Sequence, residues 1–203
     1  MSSIKTIVYF DLEATGLKSS GRPRITEISF VAVNSENLED LNLQIKNYLR
    51  NQNNEDYAFK LESLFPRVLN ELTLCVYPMA TIFPDVTDIT ELDNYNFSEQ
   101  TKFDATTGDL LNSFLDRLPA PVCLVAHNGD FYDFPLLKAE LEKVGVQLRP
   151  GILCADSYIG IKAIFKVRND FTGEEDDSKK ENEIMETNPK SFSLINLHKH
   201  MLR

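Results

Sequence analysis

The chain has 203 residues, 42% hydrophobic and 10% aromatic, which is the size and composition of one core-forming domain. Its three widely spaced cysteines exclude a disulfide framework or a cysteine-rich zinc site and fit a reducing compartment, cytoplasm or nucleus. A formal net charge of −10 argues, taken alone, against gripping nucleic acid by bulk charge, and no apolar run or leader-like segment suggests a membrane partner.

Ile4 to Phe10 is rich in β-branched and aromatic residues and predicts a buried strand. Ile25 to Val33 predicts a second, with Ile28, Phe30 and Ala32 on one face and Val31 and Val33 on the other. Asn47 to Glu55 reads as a polar loop, with Tyr48, Leu49 and Tyr57 leaving a helix open as the alternative. Leu72 to Tyr77 predicts a third strand, stopped by Pro78. Thr106 to Leu118 carries Leu110, Leu111, Phe114, Leu115 and Leu118 at helical spacing and ends before Pro119. Val122 to Ala126 predicts a fourth strand. A helix then opens near Phe131 and carries Leu137, Leu141 and Val144, with Gly145 as its stop. Ile152 to Ala155 predicts a fifth strand, and Ser157 is positioned to cap a helix from Tyr158 to Val167.

The acid is concentrated beyond that helix. Asp170 to Glu186 holds eight acidic residues and two lysines, six of the ten net negative charges, with few apolar residues. An exposed, mobile acidic loop is therefore expected over 168–189. Three strands, helix, strand, helix, strand, helix predicts one α/β domain over 1–203: a mixed sheet of about five strands flanked by helices.

Asp11 and Glu13 stand at the carboxyl end of the first strand. Positions i and i+2 share a face, so the two carboxylates converge and repel unless a cation joins them. Paired oxygen ligands suit magnesium or manganese. The plainer reading is a strand end capping the turn at Thr15-Gly16. The second acidic element shifts the balance: Asp133 lies just after His127-Asn128-Gly129, which follows the fourth strand. If the first and fourth strands are neighbours, Asp133 faces Asp11 and Glu13 at the carboxyl strand ends, where open α/β sheets bind ligands. His127 by itself reads as a turn residue.

Asp11-Leu-Glu-Ala-Thr-Gly-Leu17 resembles the first exonuclease motif of the DEDDh family, and Cys123-Leu-Val-Ala-His-Asn-Gly-Asp-Phe-Tyr-Asp-Phe-Pro-Leu-Leu137 resembles the second. The wording is similar to the three-prime repair exonucleases, and it continues through Ile25 to Ile28, Pro66 to Val68, Leu72 to Val76, Ile89 to Leu92, Ala155 to Ser157 and Lys190 to Leu194. The resemblance implies a ribonuclease H-like fold that removes nucleotides from DNA 3′ ends, single strands preferred, with two magnesium ions for which manganese can substitute. It implies that Asp11 bridges both ions, that Glu13 binds the ion nearer the attacking water, and that Asp133 completes the site. Glu13, Ala14 and Leu17 would meet the terminal nucleotides. Ile89 and Tyr132 would lie beside the 3′ nucleotide, His127 would join the substrate contacts, and Lys162 would line the phosphate track. A homodimer through the edge strand 72–77 is also implied, which would cover an unpaired sheet edge.

The pattern departs in three places. The third motif, a general-base histidine followed five residues later by a metal-binding aspartate, is not found before Arg203; five beyond His198 is Arg203, and nothing stands five beyond His200. A domain incomplete at its C-terminus, and inactive as it stands, is therefore one expectation. The others are a catalytically silent module that binds DNA ends or modulates a dimer, and an RNA-trimming nuclease of the same family. Phe131 replaces a frequent arginine, which removes a phosphate contact. Lys46 to Phe65 has no proline, so no polyproline-dependent partner is expected.

Overall fold

Alternation of inward and outward residues continues past Phe10: Val8, Phe10, Leu12 and Ala14 are buried, while Tyr9, Asp11 and Glu13 face the other way. Strand β1 therefore runs Thr6–Ala14, four residues beyond its expected end, and takes both carboxylates with it. The computed structural model describes residues 3–16, 21–38 and 66–172. Leu17, the 47–55 stretch, most of the acidic 168–189 segment, Lys190 to Leu194, His198 and His200 lie outside them.

After β1 come β2 (Ile25–Asn34) and β3 (Asn70–Cys75), then a short helix α1 (Pro84–Thr90) and α2 (Ala105–Asp116). They are followed by β4 (Val122–Ala126), α3 (Asp133–Lys143), β5 (Leu153–Asp156) and α4 (Ser157–Thr172). The sheet order is β3-β2-β1-β4-β5. β1–β2 and β2–β3 are antiparallel, whereas β1–β4 and β4–β5 are parallel, so the sheet is mixed as expected. β1 and β4 are neighbours, paired from Thr6–Val122 to Tyr9–Val125.

Several boundaries differ from the sequence expectation. β3 begins at Asn70 and ends at Cys75, leaving Tyr77 in an isolated bridge to Lys102. Helix α1 was not anticipated; it is seven residues long and buries none of them, so it carries no apolar stripe to read. Helix α4 reaches Thr172, five residues into the expected acidic loop. Asp104, rather than a residue nearer Thr106, starts α2 through a reciprocal capping box with Thr107.

The core lies on one side of the sheet. Phe10 packs edge-on against Phe30 at 5.1 Å, Phe134 sits 5.8 Å from Phe10, and Phe114 5.8 Å from Phe30. This aromatic row ties α3 to β1 and α2 to β2, while Leu136, Leu137 and Leu141 bury the inner face of α3. Asp133 thus starts a helix whose second residue is locked onto β1. Among the described residues no helix is long and apolar enough to cross a membrane.

Candidate active site

β1 outlasts its parallel neighbour: pairing with β4 ends at Tyr9–Val125, whereas β1 continues to Ala14. Past that point the Leu12 N–H has no strand to meet on the β4 side, and it donates instead to Asp133 Oδ1 at 3.2 Å. This bond is buried and joins residues 121 positions apart. It carries the Asp133 carboxylate to the backbone between Asp11 and Glu13, the three-way approach that the sequence spacing anticipates.

The turn leading there has its own requirements. Asn128 adopts φ 59°, and a Cβ on Gly129 would stand 2.5 Å from Ala126 Cβ and 2.8 Å from the Phe134 ring, so only glycine fits. Asp156 at the end of β5 fixes the turn from the other side. Its Oδ1 accepts from Asn128 N at 3.0 Å and from Tyr158 N at 2.8 Å, and its Oδ2 from Asp130 N at 3.1 Å. Asp156 therefore does the capping expected of Ser157, whose hydroxyl instead lies 3.1 Å from His127 Nδ1. A carboxylate with two oxygens can serve both the α4 start and the neighbouring turn, which a serine hydroxyl cannot.

The electrostatics are those of crowded anions. Burial first, and then the charges of Asp11, Glu27 and Asp133, push the Glu13 carboxyl up to about 6. Burial and the Asp11 charge push Asp133 up to about 6, against the Leu12 hydrogen bond that favours its ionised form. Burial likewise raises Asp11, aided by Glu27. The same surroundings drive the Tyr132 hydroxyl up to about 12, through burial and the charges of Asp133 and Glu13. Each carboxylate is held where its charge is disfavoured, and an added cation would reverse that.

Glu27 is the member that sequence reasoning missed. It is the cross-strand partner of Glu13, just before the register slips at Glu13/Ala14, where β2 holds an extra residue. A paired position shares its partner's face, so Glu27 joins the acidic side. Only the β1–β2 register could reveal this, although Glu27 stood within a stretch already matched to the resembled family. Its Oε2 also accepts from the Cys75 thiol at 3.4 Å.

The remaining predicted residues divide. Tyr132 abuts the acids, and its hydroxyl donates to Gly16 O at 2.6 Å. Ala14 is buried at the end of β1, with its side chain on the core face opposite Asp11 and Glu13. His127 packs edge-on against Tyr158 at 5.7 Å, and Lys162 Nζ lies 5.1 Å over the Tyr158 ring, so His127 and Lys162 meet at one aromatic side chain. Ile89 is 82% exposed near the end of α1. Phe131 is also exposed.

The donor set, carboxylates only, suits a hard divalent cation such as magnesium or manganese. Among the described residues no three acidic, histidine or cysteine side chains already stand as a metal cage. The chemistry of the set fits a cation, although Asp133 Oδ1 is engaged with the Leu12 N–H.

The chain is 40% identical over 164 residues to three-prime repair exonuclease 1 of Bos taurus, covering 79% of this chain and 48% of the relative. It is 38% identical over 162 residues to three prime repair exonuclease 2 of Homo sapiens, covering 79% and 62%. It thus spans about half to three-fifths of the curated relatives it matches. No family model matches. Among solved structures, Escherichia coli exonuclease I in complex with a dT13 oligonucleotide superposes with a TM-score of 0.62 at 14% identity, covering 97% of this chain and 35% of that one. An exonuclease I/SSB-Ct complex gives 0.63 at 14% identity, covering 98% and 36%. At such identity the likeness concerns the fold, which is the ribonuclease H-like exonuclease architecture that the motifs imply.

Proposed function

Because the chain is a homologue of the three-prime repair exonucleases, we propose that it is the exonuclease domain of a metal-dependent 3′-to-5′ DNA exonuclease that releases nucleoside monophosphates. The observation that carries this reading is the Leu12–Asp133 hydrogen bond, which gathers both acidic motifs at one strand end. Asp11, Glu13 and Asp133 would hold two magnesium ions, with manganese able to substitute. Bound there, the ions supply an activated water and neutralise charge on the departing oxygen.

The chain's own groups do the rest. The raised carboxyls of Glu13 and Asp133 make the acidic edge receptive to cations near neutral pH. Tyr132, pinned to Gly16, offers a ring beside the acids on which a terminal base can stack. Ala14, whose side chain faces the core, would meet the 3′ end through its main chain alone; Leu17 and Ile89 would complete those contacts, and Lys162 and His127, gathered around Tyr158, would serve the backbone phosphates. Exonuclease I in complex with dT13 supports single-stranded DNA as the substrate class. A homodimer through β3 would cover that sheet edge, and cytoplasm or nucleus fits the cysteine usage.

The test is release of mononucleotides from a 3′-labelled single-stranded oligonucleotide by the full-length protein with magnesium. DNA-end binding without turnover would replace the reading with a silent binding module. Faster cleavage of the matching RNA would make the protein an RNA-trimming nuclease.

A further inference from the structure

Glu140 lies on α3 seven residues beyond Asp133 and is 1% exposed. A carboxylate buried that deeply is costly unless it is paired and hydrogen-bonded. Three N–H groups hold it: Arg24 Nε to Oε1 at 2.8 Å, Arg24 Nη2 to Oε2 at 3.1 Å, and Lys143 Nζ to Oε1 at 2.7 Å. Lys143 belongs to the same helix, but Arg24 comes from the far side of the loop that follows Glu13.

The Arg24 backbone is itself fastened to that loop. Its N–H donates to Thr15 Oγ1 at 3.1 Å, and its carbonyl accepts from Thr15 N at 2.9 Å. Thr15 is two residues beyond Glu13. One residue therefore joins, through its main chain, the strand bearing Asp11 and Glu13, and through its guanidinium the helix bearing Asp133. The two halves of the acidic site repel each other, and a planar two-point fork fixes both distance and angle between them, which a single ammonium cannot do.

We propose that the Arg24–Glu140 pair is a positioning pair that sets the spacing between the Asp11/Glu13 and Asp133 halves of the site, and so its affinity for divalent cations. The inference rests on the metal-binding reading given above. Arg24 and Glu140 touch neither substrate nor cation; they act through the two elements they brace.

The experiment is calorimetric titration of the full-length protein with magnesium, without DNA, for wild type, Arg24→Met, Arg24→Lys and Glu140→Gln. Thermal melting in EDTA and the magnesium dependence of nucleotide release are measured alongside. Cation affinity should fall about 10-fold in Arg24→Met, the scale typical of lost support around metal ligands. In Arg24→Lys, which keeps the charge and the fold, it should fall by less. The rate should recover at high magnesium, with KM for the oligonucleotide unchanged. Wild-type cation affinity in Arg24→Lys and in every variant that folds would overturn the pair's role and leave the metal reading standing. Failure of the wild type to bind magnesium would overturn both.

Discussion

The Tyr132 hydroxyl donates to the Gly16 carbonyl at 2.6 Å, so the residue just before Asp133 is fastened to the loop just after Glu13. Tyr132→Phe keeps the ring and loses this pin. The expected cost is about 1 kcal/mol in thermal stability, with turnover reduced and KM for oligonucleotide little changed, because stacking needs only the ring. An unaltered melting temperature would show that the bond does not hold in solution.

Asp11→Asn, Glu13→Gln and Asp133→Asn should each lower exonuclease turnover by about 10²-fold or more, beyond the loss seen for mere outer support of a metal site. Each should also raise the melting temperature in EDTA, since each removes one of the charges that crowd the others. Asparagine at 133 retains an oxygen for the Leu12 N–H, so the local geometry survives. A variant that loses activity together with stability would indicate misfolding instead.

The pH dependence has a definite sign. Glu13 and Asp133 titrate near 6 in the folded chain, above their ordinary values of 4.5 and 3.8. The folded state therefore binds more protons than the unfolded chain between about pH 4 and 6, and their contribution to stability is lost as pH rises through that window. Melting in EDTA should show this decline from pH 5 to 7, and magnesium should raise the melting temperature more at pH 7 than at pH 5. An equal magnesium effect at both values would contradict the assignment.

Asp156→Ala strips acceptors from the His127–Asp130 turn and from the start of α4. Loss of a cap together with orphaned amides should cost about 2 kcal/mol. Asp156→Asn keeps the oxygen that serves Asn128 and Tyr158 and loses the one that serves Asp130, so its cost should be smaller. Denaturant unfolding of the two variants gives the comparison.

β3 pairs only with β2 among the described residues, and the proposed homodimer would use its other edge. Light scattering should return twice the mass of one chain, and Thr73→Lys on the exposed side of β3 should weaken the association. A single-chain mass at micromolar concentration would remove the dimer from the proposal.

Val122–Ala126 could be bounded from sequence to the residue, because an apolar run lies between Pro121 and the His-Asn-Gly turn. β1 could not, because Asp11 and Glu13 look like the end of an apolar run although they are the outward half of a continuing alternation. Asp133 was legible through its motif, whereas Glu27 depends on the register between β1 and β2. Arg24 and Glu140 are 116 positions apart, and either one alone reads as an ordinary surface charge. Pairwise geometry across long separations is what local pattern cannot supply.

The long reach between Leu12 and Asp133 also bears on synthesis. A chain that emerges amino end first delivers β1, β2 and β3, each antiparallel to the next, while β4 must later insert beside β1. Until residue 133 has left the ribosome, the nascent protein owns Asp11, Glu13 and Glu27 but lacks the helix that brings the fourth carboxylate. Translation products that stop before α3 would thus lack one of the converging carboxylates: under the proposed function, cutting DNA would be contingent on finishing the fold.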